Sequence, residues 1–146
     1  MFLDASAIVA VLRKEPSFWK LIAAIENSKT KHFTSPISHY EAVLSLARAN
    51  GKTPETHDPM IKNASKAVDI FMAQVGAQQM PIENSSMKLA IDSFGRFGRG
   101  SGHPAQLNMG DCFAYAMAKS LKVPLLFIGN DFIHTDIKSA LSDPRP

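Results

Sequence analysis

Cysteine is nearly missing from this sequence. Cys112 stands alone, which excludes an internal disulfide and fits a reducing cytoplasm. Long apolar runs are missing too. No stretch approaches the roughly 20 apolar residues of a membrane span, so no membrane partner is expected. Met1-Phe2-Leu3-Asp4 lacks the basic start and small-residue cleavage site of a secretory leader, so the expected location is cytoplasmic. His32, His39, His57, His103 and His134 show neither an H-E-x-x-H pattern nor paired spacing, and with a single cysteine they make no zinc set. Repeats and low-complexity blocks are absent. Charge of one sign hardly accumulates: a net +3 with a pI near 9.1 permits a polyanionic partner without arguing for one.

What is present is enough chain for one hydrophobic core, 146 residues of which 45% are hydrophobic. Met1–Leu3 reads as a short strand ending in Asp4, and Ser6 opens an apolar helix to about Lys14. A second helix follows over Phe18–Asn27, then a short strand over Lys31–Thr34. Ser35-Pro36 is a strong helix start, serine as N-cap and proline at the first helical position, with the stop at Asn50-Gly51. Gly51–Pro59 reads as a polar loop, Ile61–Val75 as a helix and Gln78–Ile82 as a strand. Beyond these come a helix over Ser85–Phe97, a Gly-rich basic loop over Gly98–Pro104 and a helix over Asn108–Leu121. Val123–Ile128 reads as an apolar strand and Phe132–Leu141 as a short last helix, with 142–146 a frayed tail. Alternation of this kind implies an α/β domain over 1–141 with a small, mainly parallel sheet of about four or five strands.

Four acids stand out. Asp4 ends the first strand and Asp131 follows the last, and ligands of parallel sheets bind beyond the carboxyl ends of the strands. Each is also accounted for as an ordinary turn or N-cap residue. Asp111 sits in the first turn of its helix, where the macrodipole favours negative charge. No base lies one turn ahead of it, since Ala114 and Tyr115 occupy those places. Glu41 fits a capping box with Ser38, but the start at Ser35-Pro36 moves it a turn inside, towards the core. An unpartnered glutamate there is costly unless it is protonated or bound to metal. Together the four form an oxygen-only donor set suited to Mg2+ or Mn2+, the usual apparatus for phosphodiester hydrolysis.

These residues resemble a known family. Phe2-Leu3-Asp4-Ala5-Ser6-Ala7, Ser38 to Leu46 (SHYEAVLSL), Phe94 to Ala116 and Pro124-Leu125-Leu126-Phe127-Ile128-Gly129-Asn130-Asp131-Phe132 are similar to the PIN-domain ribonucleases, specifically VapC-type toxins of bacterial toxin–antitoxin pairs. The resemblance implies a PIN-like fold with helices on both faces of the sheet. It also implies a Mg2+- or Mn2+-dependent endoribonuclease using Asp4, Glu41, Asp111 and Asp131. Ser6, Asn108 and Asn130 would orient those acids, and Arg96 and Arg99 would touch RNA phosphates. The sequence departs from the family at Ala5, where threonine is frequent, and at Asn130, where many relatives carry a second aspartate. Asp131 is therefore the expected fourth acid, with Asp136 behind it. Implied partners are an RNA substrate (tRNA included), a cognate VapB-like antitoxin and a second copy in a homodimer within a larger assembly. A catalytically weak, antitoxin-binding and operon-regulating subunit is the main alternative. Another metal-dependent phosphohydrolase fits less well, because nucleophilic use of Asp4 wants an acid where Ser6 stands.

Overall fold

The computed structural model describes residues 1–48 and 54–145, with 54–56 described by backbone alone. Among these residues the order is β1 (Phe2–Leu3), α1 (Ala5–Leu12), α2 (Phe18–Glu26), β2 (His32–Thr34), α3 (Pro36–Arg48), α4 (Pro54–Gln74), β3 (Ala77–Gln79), α5 (Asn84–Phe97), α6 (Met109–Leu121) and β4 (Leu125–Leu126). The four strands form one parallel sheet in the order β3-β2-β1-β4. Phe2 is in register with Phe33 on one side and Leu125 on the other, and Leu3 with Leu126. The chain therefore winds outward from β1 through β2 to β3, then returns to the other side of β1. That reversal opens a crevice between β1 and β4 at the carboxyl edge, where parallel sheets hold their ligands.

Side-chain alternation along the strands sorts the core into two layers. Leu3 and Leu126 point to one face and pack with Ile8, Leu21, Val43 and Val68 from α1 to α4. Phe2, Leu125 and Phe127 point to the other, against Ala90, Phe97, Tyr115 and Met117 of α5 and α6. Each large side chain sealed in this way contributes about 1.5–3 kcal/mol. The expected α/β class, parallel sheet and two-sided helical cover are all present.

Several local expectations are corrected. Phe132–Leu141 is not helical: it begins in turns, and Leu125 N–H then donates to Lys138 O and Ala140 N–H to Leu125 O, so residues 138–140 run beside β4. Of the expected loop Gly51–Pro59, residues 51–53 lie outside the described residues, as does the expected stop at Asn50-Gly51. Residues 54–59 are helical, with Pro59 inside α4. A proline near a helix start loses only a bond or so, which packing of the rest of the helix can offset. Residues 142–145 are docked, not frayed: Pro144 is buried and accepts from Gly129 N–H at 3.0 Å, while Lys20 Nζ donates to the carbonyls of Asp143 and Arg145. Strands β3 and β4 are shorter than Gln78–Ile82 and Val123–Ile128 predict, because pairing ends where the neighbouring strands end.

Candidate active site

Asp4 follows β1 directly, and its own N–H donates to Leu126 O of β4 at 3.0 Å, tying it to the crevice. It is the N-cap of α1, so the structural reading of this aspartate is correct. Its Oδ2 accepts from Ser6 N–H at 2.9 Å and from Ser6 Oγ. Ser6 Oγ in turn accepts from Ile128 N–H at 3.1 Å, so one hydroxyl joins the segment that follows β4 to the Asp4 carboxylate. Asp4 is only 4% exposed. Burial raises its pKa, the Ser6 hydrogen bonds pull the other way, and Asp131 adds to the rise.

Asp111 has the same double character. Asn108 and Asp111 form a reciprocal capping box at the start of α6: Asp111 N–H donates to Asn108 Oδ1 at 3.0 Å, and Asn108 N–H donates to Asp111 Oδ2 at 2.7 Å. Burial nevertheless pushes the Asp111 carboxyl up to about 7; the Asn108 bond opposes the rise, and the charges of Asp4, Asp131 and Glu41 add to it. A simple cap has its carboxylate favoured, not disfavoured. Burial, with three neighbouring acids adding to it, reverses that here.

Glu41 takes no part in a capping box. Ser35 caps α3 instead, accepting from Ser38 N–H at 3.1 Å. The Glu41 carboxylate lies against the backbone of Gly110, where a Cβ would come within 2.0 Å of Oε2. Glycine at the second position of α6 thus lets α3 send an acid to the side of Asp111. Sequence reading missed Gly110, although a glycine in a helix costs about 1 kcal/mol relative to alanine and so signals a close approach. Burial and the Asp4 charge raise the pKa of Glu41.

Asp4, Glu41, Asp111 and Asp131 line one cleft of about 820 Å3, together with Ser6 and Asn108. Asp131 is exposed at its rim. Asp136 is elsewhere: Tyr115 Oη donates to it, Lys119 Nζ sits 2.9 Å from its Oδ2, and these two bonds lower its pKa. Asn130 is exposed and does not line the cleft. Nor do Arg96 and Arg99. Arg96 lies in the last turn of α5 with its guanidinium 4.5 Å from the centre of the Phe97 ring, and Arg99 Nε reaches Gln106 O at 3.4 Å. Among the described residues the basic side chains that do line the cleft are Arg13 and Arg48, which sequence reading passed over because neither adjoins an acid motif.

No three His, Cys, Asp or Glu side chains among the described residues close into a ready-made cage. The acids instead surround open space, with their charges felt by one another. Such an oxygen-only set could hold a divalent cation that keeps part of its water shell.

The PIN domain family model matches residues 1–138. The chain is 38% identical over 139 residues to a VapC ribonuclease of Rhizobium meliloti (strain 1021), spanning 93% of this chain and 98% of that one. It is 37% identical over 141 residues to ribonuclease VapC28 of Mycobacterium tuberculosis (strain ATCC 25618 / H37Rv), spanning 97% and 98%. Among solved structures, Mycobacterium tuberculosis VapC20, described as a toxin cleaving the sarcin–ricin loop, matches with a TM-score of 0.65 at 13% identity over 91% of each chain. A toxin–antitoxin complex from Klebsiella pneumoniae matches with a TM-score of 0.65 at 12% identity, over 98% of this chain and 96% of that one. At such identities the structural matches speak for the fold alone.

Proposed function

We propose how this chain, which belongs to the PIN-domain family and is an endoribonuclease of the VapC toxin type, cuts RNA: Asp4 and Asp111 are the principal ligands of Mg2+ or Mn2+, assisted by Glu41 and Asp131. The observation that carries this reading is the gathering of these four carboxylates in one cleft, where burial and mutual repulsion disfavour the charge of Asp4, Glu41 and Asp111. A protein that only bound a partner would have no use for acids held at that cost. A divalent cation, when bound there, lowers the pKa of its water and offsets phosphoryl charge.

The chain's own residues supply the rest. Ser6 fixes the Asp4 carboxylate and Asn108 that of Asp111, so neither has to be ordered when RNA arrives. Glu41 is held in place by the gap at Gly110 and is aimed at the same space. Asp131, exposed at the rim, is placed to act through a water, as acceptor of its proton. We also propose a cognate antitoxin as inhibitor and a homodimer as the working form. None of the described helices is long and apolar enough to cross a membrane.

The test is cleavage of total RNA in Mg2+ or Mn2+ against EDTA, with Asp131→Asn and Asp136→Asn compared. Asp131→Asn is expected to lose about 10- to 100-fold, whereas Asp136→Asn stays within twofold of wild type. Equal losses would remove Asp131 from the site, and a wild-type protein cutting no RNA under any metal would return the binding-only reading. Ser6→Ala checks the positioning role. Expected are a 10- to 100-fold fall in cleavage and a stability loss of about 1 kcal/mol in denaturant titration, as one hydroxyl serves both Asp4 and Ile128. Full activity in Ser6→Ala would show that Asp4 needs no such support.

A further inference from the structure

The acids that bind the metal also repel the phosphates of an RNA, so something else in the cleft has to hold the strand. Its lining outside the acid cluster answers that need in two ways. Arg13, at the end of α1, and Arg48, in the last turn of α3, are its basic side chains among the described residues. Tyr40 and Met109 are two large side chains left 63% exposed on its walls. Each stands within two residues of an acid, Tyr40 beside Glu41 and Met109 beside Asp111.

Tyr40, Leu44 and Arg48 recur at intervals of four along α3 and so form a stripe on one helix face, all within the cleft lining. Arg48 stands seven residues beyond Glu41, about 10 Å further along the helix axis, against a stacked-nucleotide step of about 3.4 Å. That places Arg48 for a phosphate beyond the one being cut. Arg13 is steadied by Glu15, whose Oε1 lies 3.3 Å from its Nη1, and its side chain is still 47% exposed.

Resting on the metal-dependent reading above, we propose that this stripe is the track that positions a single strand of RNA. The base next to the scissile phosphate stacks on Tyr40 with Met109 as its second apolar contact, and Arg13 and Arg48 hold phosphates beyond it. Stacking requires an unpaired base, so the track selects loops and single strands over duplex.

The test is binding of a labelled mixed-sequence single-stranded RNA to the protein in EDTA, by fluorescence anisotropy over a range of salt. Tyr40→Ala is expected to weaken binding about tenfold and Tyr40→Phe to restore it. Arg48→Ala is expected to lower the salt slope by about 1, and Arg13→Ala likewise. Mn2+ binding, read by calorimetry, is expected to match wild type in all four variants. Wild-type affinity in Tyr40→Ala, or an equal loss on duplex RNA, would overturn the stacking role. Unchanged salt slopes in both arginine variants would overturn the track. Failure of the metal reading would appear separately, as Mn2+ binding unaltered by Asp4→Asn.

Discussion

Asp111→Asn is expected to reduce metal-dependent RNA cleavage by about a thousandfold or more, while making the protein more stable at pH 8 in EDTA. The first half follows from the proposed role of Asp111 as a principal ligand of a cation that contributes several kcal/mol to the transition state, each 1.36 kcal/mol being tenfold in rate. The second follows from the charge of Asp111 itself. Burial, with the neighbouring acids adding to it, lifts its pKa from 3.8 to about 7. A carboxyl whose folded value lies above its unfolded value makes the folded state the stronger proton binder between about pH 4 and pH 7. Stability therefore falls as pH rises through that interval, and the full penalty is present above pH 7. At about 1.4 kcal/mol per unit, with solvent halving the effect at a part-exposed site, asparagine relieves about 2 kcal/mol. Its amide oxygen still accepts from Asn108 N–H, so the cap survives. Thermal unfolding in EDTA at pH 8 is expected to show Tm about 6 °C higher in the variant, with the gap closing towards pH 4. Saturating Mn2+ should reverse the order, because only wild type gains from binding. A variant less stable than wild type at pH 8 in EDTA would mean that Asp111 is a cap and nothing more.

Gly110→Ala is the second large effect, and it separates stability from function in a different way. Alanine improves the helix by about 1 kcal/mol in isolation, yet its Cβ would fall 2.0 Å from Glu41 Oε2. The atoms in its way are the tip of a flexible side chain and not backbone, so the fold can yield by turning Glu41 aside. The expected result is a protein about as stable as wild type with cleavage reduced 10- to 100-fold and weaker Mn2+ binding. A double-mutant cycle identifies the cause. In a Glu41→Ala background, Gly110→Ala is expected to have almost no further effect on cleavage, since the displaced group is already gone. Additive losses would place the damage somewhere other than Glu41.

The sequence by itself determined the layout. Strands alternating with helices, and apolar periodicities of two and 3.6, are local patterns that any fold of this chain has to bury, and they yield the parallel α/β class. Asp4 and Asp111 were legible for the same reason: one ends a buried strand and the other sits in the first turn of a patterned helix. That both are caps as well does not keep them out of the cleft, because a capping carboxylate can still face it.

The tertiary structure decided everything that depends on what lies across the cleft. Phe132–Leu141 has helical spacing, but it begins in turns and residues 138–140 run beside β4. Asp131 and Asp136 differ little in sequence context, and only packing shows Asp136 committed to Tyr115 and Lys119 while Asp131 faces the other acids. Arg96 and Arg99 stood out as bases in a glycine-rich stretch, yet the cleft is lined by Arg13 and Arg48 from the ends of two helices far apart in the chain. Glu41 needed both kinds of information: the helix start told how deep it lay, and Gly110, on another helix, told where it could point. Periodicity specifies which face of an element is buried, but the partner of a polar group is set by long-range contacts that one segment does not contain.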